Sequence, residues 1–171
     1  MTTTSDELRQ PAFEAPTELA DALQRVHVDL IELHVQGKQA HWNVVGHNFR
    51  DLHLQLDEIV EAARGFSDEV AERMRAIDVT SDGRSATVAA KTSLPAFPEG
   101  EVDTSDTVDL ITQRMYAVSR TMREVHDSVD DADPTTADIL HGILERLEQL
   151  AWMVSAENRV ANRTKPEPVH E

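Results

Sequence analysis

Residues 41–73 read HWNVVGHNFRDLHLQLDEIVEAARGFSDEVAER. Past the turn at Gly46, the residues Phe49, Leu52, Leu56, Ile59, Ala63, Phe66 and Val70 recur at steps of three and four, and Ile77 continues the series with one step skipped. That period is the buried stripe of an α-helix over about 48–77. A second stripe runs beside it. His53 and Asp57 are four apart, and so are Asp68 and Glu72. Residues four apart share a helix face. Asp57 and Asp68 are eleven apart, close to three whole turns, so both pairs point the same way.

The rest of the chain falls into place around this helix. Upstream, Leu19, Leu23, Val26, Leu30 and Leu33 form the stripe of a first helix, with Thr17 as its expected N-cap, running to about Val44. Downstream, residues 78–102 lose the period and carry Asp82-Gly83, Pro95, Pro98 and Gly100, with Ser85–Lys91 as a possible short helix. A third stripe follows: Val108, Ile111, Met115, Val118, Met122, Val125 and Val129. Asp133-Pro134 opens a fourth helix, an acid at the cap and Pro at the first position, whose stripe is Leu140, Ile143, Leu147, Leu150 and Val154. These elements predict an all-α, four-helix bundle. Short first and third connections make those helix pairs antiparallel. The long middle connection can cross the bundle's length, so that helices two and three run parallel, as in ferritin-like folds. The expected organisation is a polar tail over 1–16, one bundle over 17–160 and a C-terminal tail over 161–171.

Composition narrows the function. The chain has 171 residues, no Cys, and 32 acidic against 16 basic residues, a net charge of −16. Disulfides and thiolate metal sites are excluded. The surface repels phosphate backbones and attracts cations. With no apolar run long enough for a membrane helix and no signal-peptide pattern, a cytoplasmic location is expected.

Imidazole and carboxylate ligands without sulfur suit iron, zinc or manganese. Either pair on helix two, taken alone, reads as a solvated side-chain pair. Two such pairs on one stripe, with His41 close to the first, read as metal ligands. At about 1.5 Å per residue, however, Asp57 and Asp68 stand roughly 16 Å apart along the axis. One centre cannot use both within one chain. A two-fold dimer with antiparallel second helices would set each first pair against the partner's second pair. On helix one, His27, His34 and His41 recur every seven residues, with Gln24, Ile31 and Lys38 between them. This half-apolar face reads as a subunit interface, with only His41 expected to bind metal. None of the four helices carries Glu-x-x-His, the intra-bundle di-iron pattern. Asp138-x-x-His141 is the nearest approach.

His41-Trp42-Asn43, Gly46, Phe49, Leu52-His53, Asp57, Asp68 and Glu72-Arg73 together resemble the Dps family, the ferritin-like mini-cages named as DNA-binding proteins from starved cells. The resemblance extends more weakly over 17–158. It implies a hollow dodecamer built from two-fold dimers, with a ferroxidase centre at each dimer interface. His41, His53 and Asp57 would come from one subunit, and Asp68 and Glu72 from its mate. It further implies oxidation of Fe(II), commonly by hydrogen peroxide in preference to dioxygen, and storage of ferric mineral. Trp42 reads equally as a redox partner of the site or a packed interface aromatic, and Trp152 as packing. Asp133 and Asp138 read as pore-lining acids or, for Asp133, a helix cap. Glu145 and Glu148 read as cavity-lining or solvated. The short crossover helix would pack at the dimer interface. The chain departs from the family name in its tails. Residues 1–16 hold one basic residue, Arg9, against three acids, and 159–171 hold Arg159, Arg163 and Lys165 against Glu167 and Glu171. DNA binding is therefore doubtful, and a nucleoid-compacting cage with incidental iron is the alternative reading.

Overall fold

The computed structural model describes residues 13–161. The tail residues 1–12 and 162–171, including Arg9, Arg163, Lys165, Glu167 and Glu171, lie outside the described residues. Helix α1 spans Thr17–Asn43 and α2 spans Phe49–Ala76. The crossover carries α3, Ser85–Lys91, before α4, Thr104–Ala132, and α5, Pro134–Ser155. A 3-10 turn, Ala156–Asn158, follows.

The four stripes meet as one core. Leu19, Leu23, Val26, Leu30 and Leu33 of α1 are at most 1% exposed, and every stripe residue of α4 and α5 is buried. Met74, at 1%, occupies the step that appeared skipped between Val70 and Ile77. Phe49 departs from the expectation: it is exposed, because it is the first residue of α2 and lies against His53 rather than the core, with ring centroids 5.1 Å apart. Thr17 is likewise not the cap. Pro16 holds that position, and its carbonyl accepts the amide of Ala20 at 3.1 Å. Phe13 and Ala15, assigned by pattern to the tail, pack against the core.

Two short strands, β1 (Val44–Val45) and β2 (Val102–Asp103), pair in parallel, Val44 with Val102. The pattern did not foresee them. They join the end of α1 to the start of α4, so the crossover has returned along the whole bundle and α2 and α4 run parallel. Gly46, in the α1–α2 turn, has φ 126°, and a Cβ there would meet the Asp103 and Thr104 side chains at 2.8 and 2.9 Å. Glycine is required on both counts. A Cβ on Gly37 would stand 2.9 Å from Val60, so α1 and α2 approach closely one turn before His41.

Polar side chains hold the crossover down. Asp29, 2% exposed, accepts hydrogen bonds from the Thr92 hydroxyl (3.0 Å), the Ser93 amide and hydroxyl (2.7 and 2.6 Å) and the Thr121 hydroxyl of α4 (2.7 Å). Arg114, also 2% exposed, donates to Gln36 (2.9 Å) and to the carbonyls of Leu110, Pro95 and Ala96, and its guanidinium lies 5.5 Å from the Phe97 ring centroid. Burial pushes the Arg114 pKa down, yet arginine keeps its charge. At the other end, Asp133 fills the single-residue joint between α4 and α5. Its carboxylate accepts from Arg73 of α2 and from Thr136, both at 2.5 Å, and makes no side-chain cap to the helix backbone. Burial would raise its pKa, but the Thr136 hydroxyl and the Arg73 guanidinium bring it below the usual range. Asp133 thus stands at the expected N-cap position of α5, while its side chain is spent on a buried tie to Arg73 and Thr136.

Asp29→Ala should lower unfolding free energy by about 3 kcal/mol, since it strands three hydroxyls and an amide. Urea unfolding would measure it; a loss comparable to an exposed Asp→Ala change would refute the anchoring role.

Candidate metal centre

The last turn of α1 and the second turn of α2 face each other across the Gly46 turn. That places His41 beside His53 and Asp57, and one ligand atom from each lies within 4.8 Å of the others. The two imidazole rings stack, centroids 3.7 Å apart and planes inclined 27°. His53 Nδ1 stands 3.0 Å from the His41 carbonyl. A carbonyl only accepts, so the proton sits on His53 Nδ1 and its Nε2 lone pair is free for a cation. His41 is buried, and neither of its ring nitrogens has an aligned hydrogen-bond partner, although Nε2 lies 2.9 Å from Asp57 Oδ2. A buried nitrogen without an aligned partner, next to a carboxylate and a second free nitrogen, fits a site for a divalent cation.

Lys38 completes the cluster. Its ammonium donates to Asp57 Oδ1 at 2.6 Å. Lys38 above all, helped by His41, holds the half-exposed Asp57 carboxyl below its ordinary range against the opposing effect of burial. The carboxylate is therefore ionised and ready, but half occupied by an internal cation. Sequence reading placed Lys38 only on an interface face. Its signal was its position one turn before His41.

Asp68 and Glu72 are exposed on α2 and do not join this cluster. Asp68 instead lines a separate cavity of about 570 Å3 with His27, Glu61, Arg64, Ser67 and Gly83. The structure thus keeps the two sets apart: His41, His53 and Asp57 cluster at one end of α2, and Asp68 and Glu72 lie farther along it. His27 is buried here by its own chain, its Nδ1–H donating to the Ser67 carbonyl at 3.0 Å, and Gln24 is bonded to Asp82 of the crossover. The crossover covers this part of the α1 face, which the sequence reading assigned to a subunit interface; further along, Trp42 is 68% exposed. Glu148 pairs with Arg123 at 2.5 Å, so it is not an unpaired acid. No helix among the described residues is long and apolar enough to cross a membrane.

Comparison with known proteins places this geometry in a class. The ferritin-like domain matches residues 20–163. DNA protection during starvation protein 2 of Deinococcus radiodurans is 35% identical over 135 residues, covering 79% of this chain and 56% of that protein. The chain thus spans little more than half of that relative. The DNA protection during starvation protein of Agrobacterium fabrum is 33% identical, covering 74% of this chain and 79% of that protein. The structure of Dps from Microbacterium arborescens in the high iron form aligns with a TM-score of 0.78 at 34% identity, covering 85% of this chain and 98% of that one. The chain is a ferritin-like protein. Within that class it belongs to the Dps family.

Two outcomes test the site's electrostatics. Lys38→Gln removes the competing ammonium, so divalent-cation affinity at the His41 cluster should rise about threefold, read by anaerobic calorimetry. An unchanged affinity would show that Lys38 does not compete. His27 is held below its ordinary pKa of 6.5, chiefly by burial, with Ser67 and Asp82 opposing. The unfolded chain then binds the proton more readily, so stability is full above the unfolded pKa and falls as pH drops from there toward the lowered folded value. His27→Gln, which keeps the donor to Ser67, should flatten the stability profile as pH falls below the unfolded value of 6.5; an unaltered slope would exclude His27 as its source.

Proposed function

We propose that the protein oxidises Fe(II) and stores the ferric product, at centres shared between two subunits of a dodecameric cage. The clustering of His41, His53 and Asp57, with His53 Nε2 left free by the bond at its Nδ1, carries the reading. Asp68 and Glu72 supply the missing carboxylates from the partner, because they sit too far along α2 to serve their own chain. An antiparallel two-fold contact between α2 helices makes two such centres per dimer. The likeness to a Dps described in a high iron form supports iron as the substrate.

In this reading the neutral imidazoles and ionised carboxylates bind Fe(II), so affinity falls in acid. Lys38 leaves Asp57 as the cation arrives, so one positive charge departs while two arrive. Two Fe(II) each give one electron to hydrogen peroxide. Its O–O bond breaks, and two protons complete two waters. The reaction consumes both reagents of hydroxyl-radical chemistry. The oxidant is peroxide in preference to dioxygen, and the location is the cytoplasm. The relatives' names favour a second role in DNA protection. The net charge of −16 argues that any such protection works by removing iron and peroxide rather than by coating phosphate.

Stopped-flow oxidation of Fe(II), with peroxide and with dioxygen, tests the assignment. Asp68→Ala should lower the rate at least tenfold, about 1.4 kcal/mol of barrier. An unchanged rate would sink the assignment. Mixing unfolded Asp68→Ala and His53→Ala chains before refolding tests the shared centre. Random pairing makes half the dimers mixed, each with one intact centre, so roughly a quarter of all centres should recover. No recovery would place all ligands within one subunit.

A further inference from the structure

His126 of α4 and His141 of α5 form a second histidine cluster, toward the opposite end of the bundle from His41. His126 stands seven residues before the Asp133 joint and His141 eight after it, about two turns each way, so the antiparallel helices bring them level. Their Nε2 atoms approach to 2.6 Å, with ring centroids 4.8 Å apart and planes inclined 31°. Behind each ring stands a carboxylate: Asp127 Oδ1 is 3.0 Å from His126 Nδ1, and Asp138 Oδ1 is 3.5 Å from His141 Nδ1.

That arrangement constrains the protons. A carboxylate only accepts, so each acid favours its imidazole in the tautomer protonated at Nδ1. Both Nε2 atoms then present lone pairs, and the lone pairs face each other. At 2.6 Å they repel unless a positive charge lies between them. A shared proton satisfies the pair, and so does a metal ion. Imidazoles that bind metal commonly hold a carboxylate on their other ring nitrogen, which fixes the tautomer and raises ligand basicity. Here both rings have that support.

We propose that His126 and His141 chelate one divalent transition-metal ion of the zinc, nickel or copper class through their two Nε2 atoms, with water completing the coordination. Imidazole suits these ions. Zinc–nitrogen bonds of about 2.0–2.1 Å at a tetrahedral angle set the two nitrogens roughly 3.3 Å apart. The rings must therefore open by less than about 1 Å. The side chains are 28% and 53% exposed, so rotation at the surface suffices and the backbone stays put. Among the described residues, and unlike the His41 cluster, the pair has no third protein ligand converging with it. The site is accordingly open, and its ion exchanges with solvent. The pair shares no residue with the iron centre proposed above.

Zinc titration by calorimetry tests it in the intact chain. A His53→Ala background weakens the other cluster and separates the two failures. That background should bind one more Zn2+ per subunit than His53→Ala/His126→Ala, or bind it at least tenfold more tightly. His53→Ala/His141→Gln should show the same loss. Equal binding in all three proteins would overturn the proposal and leave the pair holding only a proton. Loss with one substitution but not the other would overturn chelation by the pair. Copper EPR on the His53→Ala background supplies a readout that needs no change at the pair. Hyperfine coupling to two equivalent nitrogens is expected, and its absence would overturn the assignment.

Discussion

The segment between α2 and α4 has to run back along the entire bundle with little secondary structure of its own, and its backbone polar groups need partners wherever they touch the helices. Asp29 and Arg114 meet that requirement. One accepts from the segment's hydroxyls and an amide, and the other donates to its carbonyls. Gln36 links the two tasks, accepting from Arg114 and donating to the Pro95 carbonyl. Because the segment is pinned in this way, it arrives beside the end of α1, where β1 and β2 pair. The parallel relation of α2 and α4 follows from that arrival. So does the position of the crossover over the Gln24–His27 side of α1, which leaves the Lys38–Trp42 end open.

Charge is arranged by the same logic of pairing across helices. Arg25 reaches Glu124, Arg146 reaches Glu58 and Arg123 reaches Glu148, so α1–α4, α2–α5 and α4–α5 each gain a surface link. Exposed pairs of this kind contribute little individually. Their effect is to use the few cations on structure and leave most acids uncompensated. The two histidine clusters divide the remaining chemistry. At the His41 end a carboxylate stands among the imidazole nitrogens, as a hard cation requires. At the His126 end the carboxylates stand behind the rings and only nitrogens converge.

The helices were legible in the sequence because their apolar residues keep the 3.6-residue period without interruption, and the shared stripe of His53, Asp57, Asp68 and Glu72 was legible for the same reason. Features that depend on the ends of elements were less so. Thr17 has the chemistry of a cap, but Pro16 before it already has the extended backbone the position needs. Asp133 opens α5 as its local chemistry suggests, but its side-chain partner Arg73 is sixty residues away on another helix. Lys38 lay on the right face, yet its pairing with Asp57 requires knowing how closely α1 and α2 approach. The level of His126 with His141 follows from a one-residue joint, because the acidic run Asp130–Ala132 stays helical. It is the last turn of α4.

Gly37 has a consequence for the metal centre that lies outside its own contacts. The absent side chain lets α1 settle against Val60 of α2, one layer below the His41–Asp57 pair. The distance between the two helix axes at that layer is carried upward by rigid helical backbone. The gap between the His41 imidazole on one helix and the Asp57 carboxylate on the other, the bite of the proposed chelate, is therefore gauged by a residue outside the cluster. A larger residue at position 37 would act as a shim, widening that gap while leaving the identity of every donor unchanged.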